Sequence, residues 1–368
     1  MFIGMLSGTS MDAVDCALVD FTGEQPNMVD FLCCEIPIHL KQQLATLINN
    51  QGIDLRALGN ADVLLGKLFA ETAQQIIKRN GLKPSAVAAI GSHGQTIWHQ
   101  PQASEQTARF TLQIGDPNTI AHLTGITTIA DFRRHDMSAG GQGAPLVPAL
   151  HQALFRSTST PRIVLNLGGI ANITVLPTTP ASPFGYDTGP ANILLDSWIQ
   201  HSKTVPFDEN GDWAETGNVQ PELLDTLLDE QYFSMQHPKS TGRELFNLHW
   251  LQKKLAVSSK QYQAEDVQAT LLELTTTSIS QAIQRHLSSG EVLACGGGVR
   301  NNALMRNLQK KLPGFRVGST EEHGLHPDSV EAVAFAWFAK QTLAGTPIDF
   351  SPFTGAEKAV IAGGIYQA

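Results

Sequence analysis

Glycine, hydroxyl and carboxylate residues crowd into one short stretch near the start of the chain: Gly8-Thr9-Ser10-Met11-Asp12, then Ala13-Val14-Asp15. Gly8 lets backbone approach a ligand with no Cβ in the way. Thr9 and Ser10 bring hydroxyl and N–H donors, and Asp12 and Asp15 bring hard oxygens suited to a hydrated divalent cation. Together they could hold the terminal phosphates of a nucleotide. The same residues also suit an ordinary hairpin with a polar tip, and this stretch alone leaves both readings open. A second set sits further on, with Asn166, Gly168 and Gly169 at another glycine tip and Gly296-Gly297-Gly298 after an apolar run. Ser92-His93-Gly94-Gln95-Thr96 follows a strand end, where α/β folds expose ligand contacts.

Regular elements must position these residues. Two short apolar runs, one from Phe2 up to the turn at Ser7–Asp12 and one over Ala13–Phe21, read as a β-hairpin, with a third extended run near 31–37. Helical patterning covers about 40–49 and again 60–80, where Val63, Leu64, Lys67, Leu68, Thr72 and Ile76 recur at helical spacing and Gly81 stands at C′. A short buried strand at 86–91 leads into His93. The theme then repeats: Arg162–Leu167 and Ile170–Leu176 form a hairpin around Gly168-Gly169, 177–183 is a loop, and a long helix covers about 266–287. A strand at 291–295 enters the triple glycine, and 302–312 is helical with Leu304, Leu308 and Leu312 on one face. Two glycine-tipped hairpins and a strand–glycine–helix unit predict two related halves that grip a nucleotide. No GxxxxGK[ST] segment occurs, and no GxGxxG opens a helix near an early strand, so a P-loop or dinucleotide fold is disfavoured.

Bulk properties narrow the class. A chain of 368 residues predicts about two domains. The formal charge of −9 argues against a nucleic-acid face and requires a local cationic cluster for any anionic substrate. The opening residues lack the basic and apolar regions of a signal peptide, and no apolar run is long enough to span a bilayer, so a cytoplasmic location is expected. Cys16, Cys33, Cys34 and Cys295 form no CxxC pair and are expected as reduced thiols. The 12 histidines show no i,i+4 zinc spacing.

Seven motifs occur in order: Gly8-Thr9-Ser10-Met11-Asp12, Ser92-His93-Gly94-Gln95-Thr96, Asp131-Phe132-Arg133, Gly140–Leu146, Asn166–Asn172, Asp187–Asn192 and Cys295–Gly298. In that order the chain resembles the anhydro-N-acetylmuramic acid kinase family, bacterial cell-wall recycling enzymes of the actin-like sugar kinase superfamily. The resemblance spans essentially the whole chain. It implies an α/β fold of two actin-like (ribonuclease H-like) domains, with mixed five-stranded sheets flanked by helices and an ATP cleft between them. The expected limits are 1–127 plus about 340–368 for the first domain and 128–339 for the second. It further implies ATP with Mg²⁺, a homodimer, and a reaction in which ATP, water and 1,6-anhydro-N-acetylmuramic acid give ADP and N-acetylmuramic acid 6-phosphate. One departure is Ala13, where the family usually has glycine. Alanine disfavours positive φ, so a slightly different loop path is expected there.

That implied reaction sets a chemical problem. In an ordinary sugar kinase a base removes the proton of a free hydroxyl. In the anhydro sugar O6 is locked in the bridge and carries none. A base must instead activate water for attack on the anomeric carbon, while the departing O6 takes the γ-phosphoryl group. Asp187, in Tyr186-Asp187-Thr188-Gly189-Pro190, is the candidate base; read locally, it is a turn residue capping the helix that begins near Asn192. The resemblance places a second catalytic-site carboxylate at Glu331, which also has capping-box spacing from Asp328. For the lactyl carboxylate of the sugar, Arg133 offers a planar guanidinium; the plainer fate is a surface pair with Asp131 or Asp136. His93, Gln95 and Thr96 are assigned to substrate contact. The phosphates fall to Gly8–Asp15, Asn166, Gly168 and Gly169, with Gly296–Gly298 against base or ribose; the magnesium ligands are left unassigned, with Asp12 and Asp15 as candidates, directly or through water. Lys239–Glu244 reads as a solvated connection. Two other classes compete: a nucleotide-gated binding protein of actin or chaperone type, and a plain glycosidase using Asp187 and Glu331.

Overall fold

The computed structural model describes every residue except 9–10, 24, 50–53, 104–106, 179–180 and 259. It divides into two compact units, Met1–Leu150 with Gly324–Ala368, and His151–His323. In the first unit β1 (Phe2–Ser7), β2 (Ala13–Asp20) and β3 (Asn27–Glu35) form an antiparallel meander. Next come β4 (Ala89–Ser92), the hairpin β5 (Gln95–Gln100) and β6 (Phe110–Ile114), and β7 (Thr128–Ala130). β4 adds parallel to β1, and β7 parallel to β4. In the second unit β8 (Arg162–Leu167), β9 (Ile170–Leu176) and β10 (Phe184–Pro190) repeat the meander, and β11 (Gly290–Cys295) and β12 (Phe315–Ser319) repeat the parallel pair. Both halves therefore share one five-strand plan. The first sheet departs from the expected five strands because β13 (Gly364–Tyr366) returns to pair antiparallel with β7 at its edge, making six.

The expected domain limits move at both ends. β7 stays with the first unit because Ile90 and Gly91 pair with Thr128 and Ile129. The helix Val330–Leu343 also belongs there, since it lies directly on β1 and β4. A Cβ on Gly4 would meet the Ala332 and Ala336 backbone, and one on Gly91 the Phe335 carbonyl. These two glycines and the helix's alanines let backbone approach backbone, and that approach fixes where Glu331 stands. Gly91→Ala is accordingly expected to destabilise the protein by about 1–3 kcal/mol, read as a lower urea midpoint.

Each unit has its own core. Ile3, Met5, Val14, Leu65, Phe69 and Ile76 pack together in the first, and Ile163, Leu165, Ile173, Phe246, Leu271 and Leu304 in the second. Burying each such side chain contributes roughly 1.5–3 kcal/mol. The helix expected at 60–80 begins earlier, at Leu55, where Asp54 accepts the Arg56 N–H as its N-cap. Its packed stripe is Leu65, Phe69, Thr72, Ala73 and Ile76, with Val63 and Lys67 turned outward. Among the described residues no helix is long and apolar enough to cross a membrane.

Candidate active site

The opening hairpin forms as expected, with Phe2 to Ser7 paired against Val19 to Val14. Thr9 and Ser10 lie outside the described residues. Met11, in left-handed conformation, returns its N–H to the Gly8 carbonyl at 3.0 Å, and the space where a Gly8 Cβ would sit is open. Ala13 opens β2 opposite Glu35 and is not among the residues of positive φ, so the strand accepts alanine without strain. Val14 points into the core and offers only its backbone. Asp12 is exposed and paired with Lys41. Asp15 is half-buried; desolvation and the nearby Asp328 push its carboxyl up, against a hydrogen bond with Cys33.

Around the end of β4 the same unit gathers a cationic site. Arg133 donates from Nε to His93 Nε2 at 2.7 Å and from Nη1 to the Gly143 carbonyl at 2.8 Å. Gly143 is itself held, because buried Asp136 accepts its N–H at 2.7 Å and the Thr354 hydroxyl at 2.8 Å. The surface pairing considered for Arg133 falls instead to Arg134, which meets Asp131 at 3.4 Å. Glu331 sits in the first turn of its helix with its side chain open to solvent. The surrounding protein raises its carboxyl, Arg133 lowers it, and Asp15 raises it again. It makes no capping box: Ser329 is the N-cap residue, without a side-chain cap bond. Arg133, His93, Glu331 and Asp15 thus form one electrostatic cluster.

The neighbouring amides are occupied within the fold. Gln95 accepts the Ser7 hydroxyl at 2.6 Å and donates to the Thr96 carbonyl at 3.2 Å. Thr96 Oγ1 accepts from Gln113 at 3.1 Å. His93 uses Nε2 on Arg133 and Nδ1 on the Gly94 carbonyl at 3.0 Å, with its ring against Phe335. His93 and Gln95 are thus held within the fold, while the Thr96 hydroxyl, an acceptor from Gln113, keeps its proton for another partner among the described residues.

In the second unit the turn Gly168-Gly169 directs its carbonyls onto the following helix, Asn192–Lys203. Gly169 O accepts from Ala191 and Ile193 N–H, and Gly168 O from the Asn192 N–H and side chain. Carbonyl lone pairs, which would repel an anion, are thereby turned inward. Asn166 pairs with Cys295 across β8 and β11, which brings Gly296–Gly298 beside the turn. Gly296 has φ +82°, and a Cβ there would meet Asn166 Oδ1 and the Leu167 carbonyl. Gly297 is exposed with nothing near its Cβ position, a bare stretch of backbone open to a ligand.

Asp187 is a strand residue, correcting the turn expected from its sequence. It pairs with Asn172, and the register shifts between Asp187 and Gly189. It caps no helix; the cap position is Ala191. A clamp holds it instead. Thr241 N–H donates to Asp187 Oδ2 at 3.0 Å, the Tyr232 hydroxyl to its carbonyl at 2.7 Å, and its own N–H to the Lys239 carbonyl at 3.3 Å. Lys239, buried, donates to the Tyr232 carbonyl at 2.8 Å with Nζ 4.4 Å from that ring's centre. Among the described residues Oδ1 has no hydrogen-bond partner. Desolvation, aided by Glu244 and opposed by the Thr241 N–H, pushes the carboxyl up to about 6.

A sequence model of the family described as anhydro-N-acetylmuramic acid kinase matches residues 1–368. The chain belongs to that family. A Shewanella oneidensis protein named anhydro-N-acetylmuramic acid kinase is 47% identical over 367 residues, covering 100% of this chain and 98% of its own. One of the same name from Pasteurella multocida is 48% identical over 373 residues, covering 99% and 96%. Among solved structures, the activator of the 2-hydroxyisocaproyl-CoA dehydratase from Clostridium difficile with bound ADPNP is 12% identical with a TM-score of 0.46, over 94% of this chain and 97% of that one.

As a member of the anhydro-N-acetylmuramic acid kinase family the chain is an ATP-using enzyme. The segment Lys239–Glu244, expected to be a solvated connection, is the part of the site that sequence reasoning missed. Its signal was present in two cations and a Thr-Gly pair, but nothing local ties them to a carboxylate more than 50 residues earlier.

Proposed function

We propose that the chain is the kinase that opens the 1,6-anhydro ring of anhydro-N-acetylmuramic acid with water and places the γ-phosphoryl group of ATP on O6. The products are N-acetylmuramic acid 6-phosphate and ADP. One observation carries this assignment: Asp187 is a half-buried carboxylate with Oδ2 tied to backbone, Oδ1 unoccupied and a proton affinity raised to about 6. Such a group is poised as a general base near neutral pH.

Each bond can be followed. Oδ1 takes one proton from water as the water oxygen bonds to C1; the C1–O6 bond breaks, and O6 bonds to the γ-phosphorus as the bond to the β-phosphate oxygen breaks. The anomeric carbon keeps the new hydroxyl, and the proton on Asp187 returns to solvent. Gly168, Gly169 and Asn166 are assigned to phosphate, Gly296–Gly298 to nucleoside, and Gly8–Asp15 to phosphate in the first unit. Arg133 is assigned to the lactyl carboxylate, and Glu331 is kept as the second carboxylate of the reaction. Thr96 is assigned to substrate contact through its hydroxyl, with Gln95 beside it in the same loop.

A magnesium ion fits this donor set as a hydrated cation bound through few protein ligands. Among the described residues no group of three or more metal-binding side chains occurs, and Asp12 is engaged by Lys41. Asp15, beside like-charged Asp328, would hold it. The ion supplies charge neutralisation at the β- and γ-phosphates. A cytoplasmic, homodimeric enzyme of peptidoglycan recycling completes the proposal.

Incubation with ATP and the anhydro sugar in ¹⁸O-water tests the chemistry. Label is expected at the anomeric hydroxyl and none in the phosphate. Label in phosphate, or ring opening without ATP as a glycosidase would give, removes the proposal.

A further inference from the structure

His93 follows a strand end, a position suited to substrate contact, but both its ring nitrogens are committed inside the fold. Nε2 receives the Arg133 Nε–H at 2.7 Å, so Nε2 is the unprotonated acceptor. Nδ1 must then carry the proton, and it lies 3.0 Å from the Gly94 carbonyl, a matching acceptor. The ring is nearly buried and tilted over Phe335 at 4.8 Å between centres. Neither nitrogen is left for a sugar.

The consequence falls on Arg133. Its Nε is fixed by His93 and its Nη1 by the Gly143 carbonyl, and that carbonyl's residue is anchored by Asp136. Two struts on one planar group set both its position and its plane. Among the described residues Nη2 makes no hydrogen bond, so the guanidinium presents that edge outward. A planar fork recognises a carboxylate only when its plane is correctly aimed.

We propose that His93 is a positioning residue: its neutral Nδ1–H tautomer aims Arg133, and through it the enzyme discriminates sugars that carry a carboxylate from those that do not. This rests on Arg133 binding the lactyl carboxylate. Burial, with Arg133 nearby, opposes protonation of the ring and lowers it to about 3, so the acceptor persists at neutral pH. Other groups that bear on the Arg133 guanidinium are Glu331 and Asp136, both of which favour its charge.

The test compares two sugars. For wild type, H93F, H93Q and R133A, the KM for 1,6-anhydro-N-acetylmuramic acid is measured beside the competitive inhibition constant of 1,6-anhydro-N-acetylglucosamine, which lacks the lactyl group. H93F keeps a ring on Phe335 and removes the acceptor; H93Q restores an acceptor near the Nε2 position. H93F is expected to raise the KM for the acidic sugar about tenfold, leaving the neutral analogue and the KM for ATP within about twofold. H93Q is expected to recover most of the loss. If R133A also weakens both sugars equally, the carboxylate role of Arg133 fails; if R133A discriminates and H93F does not, only the His93 inference fails. Should H93F not fold, ¹⁵N spectra of the wild-type imidazoles decide: a His93 proton on Nε2 overturns the inference, and one on Nδ1 supports it.

Discussion

Asp187→Asn lowers turnover at saturating ATP and sugar by about 10²-fold or more while ATP affinity stays within about twofold. Asparagine keeps an oxygen for the Thr241 N–H and the same backbone contacts with Tyr232 and Lys239, so the side chain is expected to remain where it is. What it loses is the capacity to take a proton. Nucleotide titration and single-turnover phosphoryl transfer check the two halves separately. Near-wild-type turnover would remove Asp187 from the role.

The same residue sets a pH dependence whose sign can be worked out. The base acts ionised, so kcat/KM for the wild-type enzyme is expected to rise with pH through about 6, and the Asn variant is expected to lose that limb. Stability runs the other way. A folded-state carboxyl raised from its ordinary 3.8 means that the folded protein holds the proton more tightly than the unfolded chain. Ionised Asp187 therefore costs stability as pH climbs from below 3.8 past about 6. Asp187→Asn should melt at or above the wild-type temperature at pH 7.5. Lost activity with a lower melting temperature would mark a structural residue instead.

The two hairpins were legible because short apolar runs flank glycine tips, and β8 and β9 fall at the residues their sequence predicts. The strand holding Asp187 was not. Asp, Gly and Pro are poor strand residues, and Tyr-Asp-Thr-Gly-Pro reads as a turn. Pairing with β9 overrides that preference, and the irregular register beside Gly189 accommodates it. Long-range partners were beyond local patterning altogether. The clamp on Asp187 comes from Tyr232, Lys239 and Thr241, and the acceptor for Arg133 comes from 40 residues upstream. Capping-box spacing marked the segment at Glu331 as the start of a helix, yet the close approach that seats this helix on its sheet depends on Gly4 and Gly91, far away in sequence.

Arg133→Ala is expected to raise the KM for the anhydro sugar by about 10²-fold, with the KM for ATP within about threefold. The magnitude follows from removing one partner of a charge-assisted bidentate contact, which costs roughly 2–5 kcal/mol. Arg133→Lys should recover only a small part. Lysine retains the charge but has neither an Nε–H for His93 nor a planar edge, and its ammonium cannot span His93, the Gly143 carbonyl and a carboxylate together. Glu331 sharpens the test. It favours the charged state of the guanidinium, so Arg133→Ala removes the cation that opposes the rise of the Glu331 carboxyl. The variant is therefore expected to shift upward any ionisation of Glu331 seen in the pH profile, a change that a purely local loss of packing would not produce. Initial rates with each substrate varied in turn at a series of pH values separate the two effects. Equal increases in both Michaelis constants would place Arg133 in the scaffold and leave the lactyl group to another cation.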